Sequence, residues 1–472
     1  MASKKKTTRD DPFTRAYREG MPGSLEGTPT ARRAKQRPKT LPQEAIALGG
    51  QVITADGARK GWVRIEGGTV AAITPRKPRD AVTIETDGVI LPGMLDLHNH
   101  PEFNVFAPWE PPKSYVNRYS WRASDPYHEL VRDPQNAMIP KLPKGTQLRY
   151  AEIRSLVGGV TAIQGASFQI QGSYESMVRN VDGMVFGEHR ARAVIDLPSS
   201  LEDRARGGKE FRNVLKAIKN GEVDAHYVHL AEGMRDNERS HKEFHHLDKE
   251  LRGLTSATVI IHGTALTREQ FERAKEVGAR LVWSPQSNLR LYGETTRVAD
   301  ALDVGLPVAL GADWLPSGSM SLLAEMKVAR QELIDQGRRL TAKQLVTMVT
   351  SGAADVAALG GKLGRIAPGR VADIVVMSRQ DDDAYESVCS STPADVELVM
   401  VGGDVAYGRQ DWVRKLAADP ADPDLEPVLA WGRRMLLDTG FEVNPGPDAT
   451  PRLAQIRQSL TSVYPAVGPI WG

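Results

Sequence analysis

Residues 91–104 read LPGMLDLHNHPEFN: an apolar run broken by one glycine, then two histidines one residue apart. Residues i and i+2 of a strand project to the same face, so His98 and His100 would share a side and suit two bonds to one ion. Taken singly, a histidine ending an apolar strand reads more readily as a hydrogen-bonded core residue. The rest of the chain has to decide.

Further short runs rich in Val, Ile, Ala and Leu follow at intervals: VTAIQGAS (160–167), ARAVIDLP (191–198), AHYVHLAE (225–232), TVIIHGTA (258–265), ARLVWSP (279–285) and PVALGADW (307–314), with a weaker candidate at MVRNV (177–181). Each is followed by polar residues, as expected of parallel strands buried on both faces. Helical stretches lie between them, among them TREQFERAKEVGA (267–279) and TAKQLVTMVTSGAADVAAL (341–359), the second opening on a threonine suited to cap it. Eight runs predict a (β/α)8 TIM barrel over residues 93–364.

Alternating strands with glycine turns precede this region (45–92) and return after it (365–411). They predict a small antiparallel β-sandwich domain built from both ends of the chain. Residues 412–472 form an extension, with a helix expected at VLAWGRRMLL (428–437), then a loop and the segment RLAQIRQSLTSVY (452–464). Residues 1–40 carry eleven Lys or Arg against four Asp or Glu, a charge of +7 that leaves −5 on the remainder of a chain whose net charge is +2. With few apolar residues, 1–44 is expected to be a disordered basic arm. Nucleic acid is not the expected partner, because no stacking aromatics accompany the charge; a solvated arm, able to wrap another subunit of a homo-oligomer, is expected. No apolar stretch reaches the roughly 20 residues of a membrane span, and no signal-peptide core follows the basic start, so a cytoplasmic protein is expected. The single cysteine, Cys389, rules out cysteine-rich zinc modules. Any metal falls to His, Asp or Glu.

The candidate strands place His98 and His100, His229, His262 and Asp313 at strand ends, with Glu232 three residues beyond His229. Active sites of such barrels lie at those ends. Four of the ten histidines in such positions favour a metal site over chance. The other six, His128, His189, His226, His241, His245 and His246, are read as structural. A long aromatic segment after His100 includes Tyr119 and Trp121, expected either to close over a flat small-molecule substrate or to pack against the C-terminal extension or a neighbouring subunit.

The series LPGMLDLHNH, HLAEG (229–233), IIHGTAL (260–266), WSPQSNLRLYG (283–293), VALGADW (308–314) and GRIAPGRVADIVVM (364–377) resembles the amidohydrolase superfamily, in its aminohydrolase and chlorohydrolase branch of guanine and cytosine deaminases and s-triazine hydrolases. The resemblance implies that His98, His100 and His229 bind a divalent metal, with Asp313 as a further ligand facing the attacking water. It implies that His262 hydrogen-bonds that water or the developing oxyanion, that Glu232 shuttles a proton to nitrogen, and that Asn288 orients substrate or backbone. Binuclear relatives carry a lysine at the end of the fourth strand; Asp196 and no lysine ends ARAVIDLPSS, so one ion is expected, zinc first, iron or manganese next. The implied reaction is hydrolytic deamination of a small heterocycle by metal-bound hydroxide. Opening of a cyclic amide, dechlorination, and a non-catalytic scaffold are the alternatives.

Overall fold

The computed structural model describes residues 44–143, 145–165, 177–183, 185–203, 207–440, 452–468 and 470. All of the expected basic arm but Glu44 lies outside these residues. The described chain opens with β1 (Ile46–Thr54), β2 (Gly57–Glu66), β3 (Thr69–Thr74) and β4 (Val82–Pro92). Gly67 and Gly68 turn β2 into β3 with φ of 53° and 83°, the left-handed pair that a two-residue type I′ loop requires. The expectation of antiparallel pairing holds for β1–β2 and β2–β3, but β4 runs parallel to β1. Strands β3 and β4 therefore point the same way, and residues 75–81 return the chain to the edge from which both start.

The eight apolar runs become β5 (Met94–Asp96), β6 (Val160–Ile163), β7 (Arg179–Asn180), β8 (Ala191–Val194), β9 (Ala225–Leu230), β10 (Thr258–His262), β11 (Arg280–Trp283) and β12 (Val308–Leu310). They form two parallel sheets, β5-β6-β7 and β8-β9-β10-β11-β12. Val259 and Ile261 pack on one face with Leu95, Tyr227, Val282 and Ala309. Ile260 packs on the other with Phe271 and Ala274 of the helix Arg268–Glu276. Burial on both faces is why these strands read as unbroken apolar runs. The two sheets meet where β12 and β5 end: an Asn99–Asp313 bridge and the bond from Asp313 N to His98 O (2.8 Å) close that seam. Among the described residues no ladder joins β7 to β8.

Strands β13 (Ile374–Met377), β14 (Val396–Val401), β15 (Asp404–Arg409), β16 (Leu425–Ala430) and β17 (Arg433–Asp438) complete one nine-stranded sheet, ordered β16-β17-β15-β14-β13-β4-β1-β2-β3. Strands from both ends of the described chain thus share one continuously hydrogen-bonded sheet, where a sandwich was expected. The helix expected over 428–437 is instead the β16–β17 hairpin: Trp431 and Gly432 adopt φ of 47° and 76° at its turn, and β17 pairs with β15. An available sheet edge overrides the helical propensity of this stretch. The segment 452–464 contributes the helix Leu453–Val463, which packs on the helix Thr146–Val157. Residues 341–359 make two short helices, Ala342–Thr347 and Ser351–Val356, the first capped reciprocally by Thr341 and Gln344. Among the described residues no helix is long and apolar enough to cross a membrane.

The seam leaves no room for a side chain at Gly311. A Cβ there would lie 2.5 Å from the Cβ and the N of His98. Gly311→Ala is therefore expected to cost about 1–3 kcal/mol by overpacking, seen as a lower urea midpoint; an unchanged midpoint would show that the seam opens freely.

Candidate metal centre and active site

His98, His100, His229, His262, Glu232 and Asp313 are all buried and all meet in one place. Strand β5 ends at Asp96, so His98 and His100 stand just beyond it, on the segment that bridges to Asp313. Their ring centroids are 5.0 Å apart, and His98 lies 4.8 Å from both His229 and His262. One ligand atom each from His98, His100 and His229 lie within 4.8 Å of one another, as do one each from His98, His262 and Asp313.

The backbone aims two of these groups by an unusual route. His262 and Asp313 have φ of 67° and 59°, and Ala231, next to Glu232, has φ of 52°. Left-handed conformations in residues other than glycine cost about 1–3 kcal/mol each and cluster at functional sites. By simple alternation His262 would follow Ile260 onto the helix-facing side; the left-handed turn brings its ring to the other histidines.

The donor set fits a small divalent cation. Asp313 Oδ1 lies 3.1 Å from His98 Nε2 and 3.5 Å from His100 Nε2. Bonds of 2.0–2.2 Å to a tetrahedral ion place neighbouring ligand atoms about 3.3 Å apart. His98 is buried with neither ring nitrogen in an aligned hydrogen bond, which is costly unless another partner takes the lone pair. Burial, reinforced by the neighbouring His98, pulls His100 down to about 3 and His229 well below the usual imidazole range. Both rings are thus neutral and offer lone pairs at pH 7. Burial works to raise Asp313, and its imidazole neighbours overcome this and hold it ionised. Burial raises Glu232, opposed by the charge of Arg118. Burial thus acts upward on both carboxylates, and only Asp313 ends below the ordinary carboxylate range.

A cavity of about 310 Å³, including its open mouth, is lined by His100, His229, His262, Glu232 and Asp313 together with Arg118, Trp121, Arg122, Leu291 and Trp314. Trp121 and Trp314 lie 5.4 Å apart, and the indole of Trp121 donates to Tyr292 Oη (2.9 Å). Tyr119 does not line the cavity: its hydroxyl donates to Glu243 and accepts from Arg118. Trp109, Tyr115 and Tyr127 of the same segment are buried in the core, so these rings serve packing within the main core and not a lid. Asn288 also stands back from the cavity, with Nδ2 3.0 Å from His262 Nδ1. Asp196 accepts from Arg118 (3.3 Å) and Arg122 (3.0 Å). Arg118, Arg122, Tyr292 and Trp314 escaped the reading of the sequence. For Tyr292 there was a signal, since it falls one helical turn after Asn288.

The sequence pattern of the Amidohydrolase family matches residues 89–406. The 5-methylthioadenosine/S-adenosylhomocysteine deaminase 2 of Archaeoglobus fulgidus is 24% identical over 352 residues, covering 67% of this chain and 81% of that one. The 5′-deoxyadenosine deaminase of Methanothermobacter thermautotrophicus is 24% identical over 402 residues, covering 77% and 93%. Among solved structures, a Xanthomonas campestris adenosine deaminase with bound zinc superposes with a TM-score of 0.58 at 16% identity, covering 78% of this chain and 93% of that one.

Zinc-reconstituted protein is expected to hold about one equivalent of metal, and His98→Ala and His229→Ala to lose it in elemental analysis; full retention in both would remove these imidazoles from the ligand set. A second prediction concerns His226, which is buried without hydrogen bonds and pulled down by burial, and further by Arg192, from 6.5 to about 4. Across that interval the unfolded chain binds a proton that the folded chain refuses, so stability falls as pH falls. Between pH 7 and 5, His226→Leu should lose about 2 kcal/mol less than the parent in urea titrations. Equal losses would mean that His226 is charged in the fold.

Proposed function

The chain belongs to the amidohydrolase family and is a hydrolase of carbon–nitrogen bonds other than peptide bonds, and from that premise we propose that it deaminates an adenine-type nucleoside by hydrolysis. The observation that carries the reading is the meeting, in one cavity, of the buried imidazoles of His100, His229 and His262 with the carboxylates of Asp313 and Glu232. His98, His100, His229 and Asp313 would hold one divalent ion, with zinc preferred over iron or manganese. Such an ion, when bound, lowers the pKa of water from 15.7 to about 7.

The remaining roles belong to the chain's own side chains. Asp313, facing the water, accepts its proton as oxygen adds to the ring carbon that bears the amine. Glu232 delivers a proton to nitrogen, and ammonia departs with the carbonyl product left behind. His262 Nε2 stabilises the oxygen on which negative charge develops. Trp121, Trp314 and Leu291 supply flat and apolar walls for a heteroaromatic ring. Deaminases of adenine nucleosides among the relatives favour that ring over guanine or cytosine. On the same reading, the two parallel sheets are parts of one (β/α)8 barrel spanning 93–364, and 45–92 with 365–411 make its satellite domain.

The test is ammonia release from 5′-deoxyadenosine, S-adenosylhomocysteine, adenosine, guanine and cytosine by zinc-reconstituted protein. Turnover of an adenine nucleoside is expected, and turnover confined to guanine or cytosine would refute the substrate assignment. Glu232→Gln should lower kcat by about 10²–10⁴ while retaining metal; near-normal kcat would remove Glu232 from proton transfer.

A further inference from the structure

The helix Pro285–Tyr292 reaches both proton-handling groups at once. Asn288 and Tyr292 are one turn apart and so lie on one face. From that face, Asn288 Nδ2 contacts His262 Nδ1 at 3.0 Å and Tyr292 Oη contacts Glu232 Oε1 at 2.5 Å. Behind each stands an indole. Trp283 Nε1 donates to Thr295 Oγ1 (2.8 Å), whose hydroxyl donates to Asn288 Oδ1 (3.2 Å). Trp121 Nε1 donates to Tyr292 Oη (2.9 Å).

An indole N–H has no lone pair to offer, so it can only donate. This gives both chains a direction. Thr295 accepts from Trp283 and keeps its own hydrogen to give, and Asn288 presents its carbonyl, which can only accept, to Thr295 and its NH₂ to His262. His262 Nδ1 must then accept, and the ring proton resides on Nε2. Tyr292, accepting from Trp121, turns its own hydrogen onto Glu232 Oε1, leaving Oε2 as the oxygen that holds and passes a proton. Those two outward-facing atoms, His262 Nε2 and Glu232 Oε2, lie 3.7 Å apart at the cavity.

We propose that Asn288 and Tyr292 are positioning residues, through which two indole-anchored chains fix the tautomer of His262 and the working oxygen of Glu232. The assignment rests on the roles given above to His262 and Glu232. It also separates the two candidate ligand groups: a nitrogen carrying a proton cannot bind an ion, so His262 is a hydrogen-bond donor and the imidazole ligands are His98, His100 and His229. Asn288 thereby acts on His262 and not on substrate.

The tautomer can be read without any substrate, by ¹⁵N-histidine NMR of the zinc-loaded protein, with His262→Gln identifying the resonance. The parent should show Nε2–H with an unprotonated Nδ1. Asn288→Asp should invert the tautomer, because a carboxylate can only accept. Thr295→Val should admit both tautomers, and Thr295→Ser should restore the parent spectrum. An Nδ1–H tautomer in the parent, or a spectrum indifferent to Asn288→Asp and Thr295→Val in folded, metal-replete protein, overturns the proposal.

For the second chain, Tyr292→Phe is expected to lower kcat on 5′-deoxyadenosine by about ten- to a hundredfold with KM changed less than about threefold. Unchanged kcat, beside a Glu232→Gln variant that is impaired, overturns the role of Tyr292. Should the parent not deaminate any nucleoside, the proposed activity falls, and the NMR spectra still decide the role of Asn288.

Discussion

Everything at the centre of this protein depends on a crowd of buried lone pairs. His98 has neither ring nitrogen in an aligned hydrogen bond, and a carboxylate oxygen of Asp313 approaches it to 3.1 Å. Buried polar atoms without partners are expensive, and acceptors pressed together repel. A cation shared among them removes both costs at once. The surrounding fold is arranged to create this crowding: the ends of β5 and β12 are drawn together, and Gly311 lets them approach without a side chain between.

Bringing the groups together demands backbone strain, which the neighbouring structure holds in place. The left-handed turn at His262 is tied by Thr296 Oγ1 donating to its carbonyl (2.7 Å), the one at Asp313 by its N–H on His98 O, and the one at Ala231 by its N–H on Glu243. Glu243 in turn pairs with Arg118, which lines the cavity and also meets Asp196. Charges around the site are thus compensated in pairs, so the guanidiniums sit beside Glu232 without leaving a large uncompensated charge. The aromatic segment after His100 serves mainly as wall and core, which makes the cavity a largely preformed one.

On the proposed reading, the strand ends and their glycine-permitted seam would provide the ion-binding cluster, while the loop after β5 and the helix after β11 would shape what enters and how His262 and Glu232 point. One scaffold can host many activities, so function follows from this site and not from the fold.

The eight buried strands were legible because β-strands buried on both faces leave continuous apolar runs, and the site's His, Asp and Glu were legible because chemistry of this kind restricts which side chains can serve. The β16–β17 hairpin was not, since VLAWGRRMLL carries no local feature that opposes a helix strongly and becomes a hairpin through pairing with β15. Nor were Arg118, Arg122 and Trp314, whose neighbours at the cavity come from distant parts of the chain. Likewise Asn288 and Tyr119 were expected to face substrate, and only their partners, His262 and Glu243, revealed which way they point. Composition and periodicity determined which residues would be buried and which could bind a metal, because burial pattern and ligand chemistry are local properties of the chain. Direction, in hydrogen bonds, in left-handed turns and in the strand that pairs at an edge, was decided by tertiary structure alone, because it depends on a partner that lies elsewhere in the sequence.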